Sequence, residues 1–269
     1  MKAIKCFWYL MLLANAIQAQ VFNDAYTIAT ASADMCSNNG LMLNKNPASI
    51  TGIEQPQIRL SQVIPYSILA LQGNAISSTF KIKRTYFSLE YAQLGKENLK
   101  YHLLNLVSGI KIDQRTSLGT KIVYHQYKRF EIEQNPYFTA ELGMNQVLSK
   151  KMKYGVQAAY NVNKLRAYDN ESFIKIGCSY TIEPRFNTYC SVKMNEYGLL
   201  VGSMAIEYRL HKNISTQAGW NTQESAFCTG IQYQIKRSKI EIGSSYHPIL
   251  GFSYAVGLCY RYGNHFNHQ

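Results

Sequence analysis

Residues 151–162 read KMKYGVQAAYNV. Met152, Tyr154, Val156, Ala158, Tyr160 and Val162 alternate with Lys151, Lys153, Gly155, Gln157, Ala159 and Asn161. A period of two marks a β-strand with one apolar and one polar face. The apolar face meets either a second sheet, in a soluble sandwich, or lipid, on the outside of a barrel.

The same alternation recurs along the chain. In FIKIGCSYTI (173–182), Ile174, Ile176, Cys178, Tyr180 and Ile182 oppose Lys175, Gly177, Ser179 and Thr181. RFNTYCSVKMN (185–195), LLVGSMAIEYRL (199–210) and SYAVGLCYRY (253–262) repeat it. Runs of this kind begin near residues 58, 75, 85, 101, 115, 137, 151, 173, 185, 198, 213, 225, 238 and 253, which predicts about 14 strands; the first two match the pattern least well. Connections alternate in character, from tight and basic (LSKKMK, YRLHKN) to longer (NKLRAYDNES, KRFEIEQNP), as in an up-and-down meander.

Composition separates the two solvents. The polar faces are rich in Gly, Ser, Thr, Asn and Gln, whereas a soluble sandwich carries charge on its outer face. The chain has 21 tyrosines, and pairs such as Tyr154 with Tyr160, or Tyr254 with Tyr260, sit where the two aromatic girdles of a membrane barrel belong. Run lengths of about 10 residues suit a tilted strand crossing a bilayer. The predicted fold is therefore all-β: a transmembrane up-and-down antiparallel barrel spanning residues 58–262. A secreted soluble β-sandwich or lectin-like module is the alternative.

The first 19 residues read differently. Lys2 and Lys5 precede an apolar run from Cys6 to Leu13, followed by Ala14, Ala16 and Ala19, the pattern of a cleaved secretory signal. Cleavage is expected after Ala19, with Ala16 as the alternative. No later stretch is apolar and long enough for a membrane helix, so in a membrane the chain is there as a barrel, and the expected location is the outer membrane. Without the signal the chain holds 26 basic and 16 acidic residues. These bases are scattered at strand ends rather than gathered in a stripe, so no nucleic-acid partner is expected. The expected partners are outer-membrane lipid and lipopolysaccharide, the outer-membrane assembly machinery, and other envelope or secretion proteins. Five cysteines remain (Cys36, Cys178, Cys190, Cys228 and Cys259), with no C-x-x-C, which argues against a disulfide framework; the four inside strand patterns read as small buried hydrophobes.

Residues 20–57 lack the alternation. TIATASADMCSNNGLMLNKNPASITG (27–52) is small and polar and ends in a corner at Asn46, Pro47 and Ala48, where Pro47 fixes its own φ and holds Asn46 extended. About 14 strands enclose a lumen wider than inward side chains can fill, and this segment is the candidate plug. Residues 263–269 form a tail.

At these residues the sequence resembles the FadL-type superfamily of outer-membrane barrels and, within it, the PorV/PorQ-like proteins associated with type IX secretion. CSNNGLMLNKNPASI (36–50) is similar to their Asn-Pro-Ala corner, and SSYHPILGFSYAVGLCYRY (244–262) to the closing hairpin of a small branch, through His247, Pro248, Leu250, Gly251 and Phe252. The glycine-rich opening of that family is replaced here by TIATASADMC, and its acidic pair by Ser37-Asn38-Asn39. The resemblance implies a structural or adaptor component of the envelope, or alternatively a conduit for hydrophobic or amphiphilic small molecules gated by the Asn46 corner. Glycines at 155, 177, 202 and 257 suit a close-packed plug or a bare wall.

Catalysis is not expected. His102, His125, His211 and His247 are present, yet no serine lies in a G-x-S-x-G context. His125 reads as a lumen or rim side chain and His247 as the cap of a turn. The tail GNHFNHQ puts His265 and His268 at H-x-x-H spacing, too sparse for a metal site. Phosphate loops and cofactor fingerprints are lacking, so no cofactor is expected.

Overall fold

A computed structural model describes residues 22–96, 99–129, 132–133, 136–162, 172–223 and 225–263. The expected signal, residues 1–19, lies outside the described residues, as do His265 and His268 of the tail. The chain forms one antiparallel sheet. Its strands are β1 (Gln57–Ile64), β2 (Gly73–Ile82), β3 (Thr85–Leu94), β4 (Leu99–Lys111), β5 (Thr116–Arg129), β6 (Ile132–Glu133), β7 (Tyr137–Val147), β8 (Met152–Asn161), β9 (Phe173–Glu183), β10 (Phe186–Asn195), β11 (Leu200–His211), β12 (Ile214–Asn221), β13 (Ala226–Ile235), β14 (Ser238–His247) and β15 (Gly251–Arg261). The two-residue β6 extends the β5–β7 hairpin, so the wall has fourteen staves.

Each stave pairs with its sequence neighbour, and β1 pairs with β15 from Gln57 opposite Arg261 to Ile64 opposite Tyr254. That last ladder closes the cylinder and removes both sheet edges. A single closed sheet overturns the sandwich alternative, which needs two stacked ones. The wall ladder is continuous, with register shifts only at Phe186/Asn187 and Arg209/His211 among the described pairs.

Alternation decides which way each side chain points. In β8, Gly155, Gln157, Ala159 and Asn161 are buried inside, while Ala158 and Tyr160 are exposed outside. The outer face is a band of Ile, Leu, Val, Met, Phe and Tyr, among them Ile176, Val192, Met204, Ile242 and Leu258. An apolar surface of this extent on all sides is far beyond what a monomer leaves in water; it is the lipid-facing belt of a membrane barrel. Tyr254 and Tyr260 point outward near opposite ends of β15, as Tyr154 and Tyr160 do in β8. No helix among the described residues is long and apolar enough to cross a membrane.

The cysteines divide. Cys228 and Cys259 are buried, as small hydrophobes should be. Cys178 and Cys190 instead face outward, directly opposite each other on β9 and β10 with their sulfurs 3.1 Å apart.

Candidate functional site

Residues 22–53 lie inside the cylinder. The segment opens with a five-residue helix, α1 (Ala25–Ala29), whose N-cap Asp24 accepts hydrogen bonds from the Thr27 amide at 2.9 Å and, through its other oxygen, from the Leu41 amide at 2.7 Å. One carboxylate thus ties the start of α1 to the loop at Leu41. Gly40, at φ 79°, makes the turn where that carboxylate packs closest. Burial, aided by repulsion from Glu241, raises the Asp24 carboxyl above its ordinary value. Burial also holds the Cys36 thiol up at about 12.

The wall makes room for the segment with glycine. A Cβ at Gly119 would fall 2.3 Å from the Pro47 carbonyl carbon, and one at Gly243 2.2 Å from the Ala25 oxygen. Gly109, Gly143, Gly177 and Gly230 are pressed in the same way by Ile50, Asn46, Met35 and Ala29. Of the four glycines singled out in the sequence, Gly155, Gly177 and Gly257 approach the segment; Gly202 meets only Thr222. It has the parity of the outward face, opposite to Ser203.

Polar contacts pin the segment around the wall. Met42 donates its amide to Glu90 at 2.8 Å, and Asn105 holds the other Glu90 oxygen at 2.9 Å. Lys121 donates to the Leu43 carbonyl at 2.7 Å and pairs with Glu141 at 2.7 Å. Lys175 reaches the Ser32 carbonyl at 2.7 Å. Lys239 donates to Asn39 at 2.9 Å and, with Arg59, flanks Glu241. Tyr26 and Tyr189 both donate to Glu207 at 2.8 Å. Within the segment Lys45 pairs with Asp34 and lies over the Tyr26 ring.

The corner residues are placed against the β7–β8 wall. Asn46 caps a 3-10 turn, Pro47–Gly52, accepting from the Ala48 amide at 3.0 Å, and its side-chain nitrogen donates to the Met144 and Val156 carbonyls at 2.9 and 3.1 Å. Pro47 is the first residue of that turn, where its missing amide proton costs nothing. The closing-hairpin residues sit elsewhere, at the β14–β15 turn. There His247 Nδ1 accepts from the Ile249 and Leu250 amides at 3.1 and 3.2 Å, and Gly251 adopts φ 84°. The structure does not bring the two motifs together.

One sector of the lumen is apolar. Val63, Ala75, Ala92, Leu103, Val123 and Ala255, from six adjacent staves, face Phe22, Ala25, Ile28, Leu41 and Leu43 of the segment. Toward the long-loop end of this sector stand inward aromatic rings: His125 stacks on Tyr137 at 4.4 Å, and Tyr101 bonds His125 Nδ1 at 2.5 Å. His125 Nε2 lies 3.0 Å from the Thr139 hydroxyl. Sequence reading named none of Tyr26, Glu90, Lys121, Glu141 or Glu241. The available signal was a charged residue at inward parity in mid-strand. No group of three or more potential metal ligands exists among the described residues.

No protein-family model and no curated protein matches this sequence. Solved structures do resemble it. The CymD monoaromatic hydrocarbon channel superposes with a TM-score of 0.69 at 11% identity, covering 90% of this chain and 98% of that one. The toluene transporter TbuX of Ralstonia pickettii gives 0.66 at 9%, covering 90% and 100%. The toluene transporter TodX of Pseudomonas putida gives 0.61 at 10%, covering 90% and 98%. The likeness is one of fold: this chain shares its barrel architecture with these channels and transporters.

Proposed function

We propose that the protein is an exported outer-membrane conduit, not an enzyme, that admits apolar or amphiphilic small molecules. The observation that carries this reading is the largest apolar sector of the lumen: six inward side chains on β15 and β1 to β5, topped by aromatic rings. These side chains pack against Phe22, Ala25, Ile28, Leu41 and Leu43 of the N-terminal segment, so passage along them requires the segment to move aside and expose an apolar path on this side of the lumen. The similar folds are described as monoaromatic hydrocarbon channels and toluene transporters, which supports the substrate class. The adaptor role implied by resemblance to PorV/PorQ-like proteins draws no support from these comparisons.

The test is uptake of labelled toluene by whole cells of a Gram-negative host that lacks such channels. Expression should accelerate uptake, and Leu103→Glu, which charges the apolar sector, should abolish the gain while the barrel still shows heat-modifiable migration. Uptake equal to that of the empty host, with folded protein in the outer membrane, would overturn the reading.

A further inference from the structure

Charge is distributed unequally between the two ends of the cylinder. Six tight turns close the end at which β1 begins and β15 finishes, and every one is basic: Lys83-Arg84, Arg115, Lys150-Lys151, Arg185, Lys212 and Lys236-Arg237. All nine side chains are exposed; Asp113 is the one acid between the strands, and exposed Glu183 ends β9 beside the Arg185 turn. By sequence, the connections between staves at the opposite end hold seven acids and three bases.

The position of each cation is as regular as its sign. One to three residues ahead of the first base in every turn stands an exposed aliphatic side chain: Ile82, Ile112, Leu148, Ile182, Leu210 and Ile235, each between 45% and 59% exposed. An aliphatic group at the edge of the apolar belt, with a long cationic side chain within the next three residues, is the arrangement that lets the cation bury its stem in hydrocarbon and set its charge among headgroups. The pattern runs around the whole circumference, because the turns join alternate neighbours in a closed ring. A protein partner would dock on one arc or over the axis. Only the surrounding bilayer touches every turn from outside.

We propose that this rim is a binding surface for anionic phospholipid headgroups in the leaflet at the tight-turn end. The proposal needs the barrel to be in a bilayer but does not rest on the conduit reading. It is tested with the full-length folded barrel in phosphatidylcholine vesicles doped with spin-labelled phosphatidylglycerol or spin-labelled phosphatidylcholine, whose immobilised fractions are compared. At low ionic strength the phosphatidylglycerol label should be preferred roughly fivefold at the occupied sites. The preference should collapse in 1 M salt, where the Debye length is about 3 Å. Replacing the turn bases at 83, 84, 150, 151, 236 and 237 by Gln should reduce it, whereas Lys150→Arg with Lys151→Arg should retain it. Equal association of the two labels with the wild-type barrel would overturn the proposal. So would a preference that survives both salt and the Gln variant. Equal association combined with salt-sensitive binding of soluble polyglutamate would reassign the rim to an acidic protein.

Discussion

A glycine inside a strand ordinarily marks a bulge or a close approach, and here the distinction is drawn residue by residue. Gly119 and Gly243 are fixed by backbone of the N-terminal segment, whereas Gly202, equally conspicuous in sequence, touches none of it. Asp24 shows the same dependence on long-range contact. Its carboxyl is raised by burial, so the folded chain holds that proton more tightly than the unfolded one. The stability it lends is complete below its ordinary value of 3.8 and declines as pH rises through the shifted one. Cys36, partly buried and with its thiol held at about 12, reports the opening of the segment around it. In a chain whose only cysteine is Cys36, alkylation relative to the unfolded chain at the same pH should therefore accelerate as pH rises from 4. Asp24→Asn should remove that slope, at a pH-independent cost of about 1–3 kcal/mol for the Leu41 amide bond it cannot accept. A variant that keeps the wild-type slope would show that another group titrates.

The elements were the legible part of the sequence. All fourteen expected starts fall within two residues of an observed stave, because each stave separates lipid from lumen and so imposes strict alternation. The first two staves were weak for an identifiable reason: Gln62 and Asn74 face outward, hydrogen-bonded across the β1–β2 ladder, and interrupt the apolar stripe. The interior of residues 22–53 was not legible. Its helix and turns are held by contacts from strands up to two hundred residues away, and such contacts leave no local period. Lys121 and Glu141 illustrate the gap, since their pairing follows only from the β5–β7 register that sets them opposite each other. Both are buried, and Gln157 also donates to Glu141 at 2.6 Å. Lys121→Met leaves a buried carboxylate without its cation and should cost about 3–5 kcal/mol in denaturant unfolding of the detergent-solubilised barrel. Adding Glu141→Gln should restore most of that loss, because the penalty belongs to the orphaned charge. Additive losses in the double variant would show that the pair does not interact.

At the scale of the whole molecule, the width of the cylinder and the bareness of its wall have one joint consequence. Fourteen staves enclose more space than inward side chains fill, and this wall contributes mainly Gly, Ala, Ser and a few charged groups, many of them committed to residues 22–53. The closed ladder, by contrast, draws its stability from hydrogen bonds between staves and from the lipid belt, neither of which involves the segment. Removing residues 22–53 should therefore leave a barrel that still migrates faster before heating than after, but with an aqueous lumen lined by Lys121, Glu141, Lys175, Arg59 and Glu241. In planar bilayers the intact chain should pass little current, and the shortened chain should give large, ohmic steps whose size scales with salt concentration. A shortened barrel that folds yet conducts no better than the intact one would mean that other parts of the chain occlude the lumen, and the segment would lose its role as the stopper.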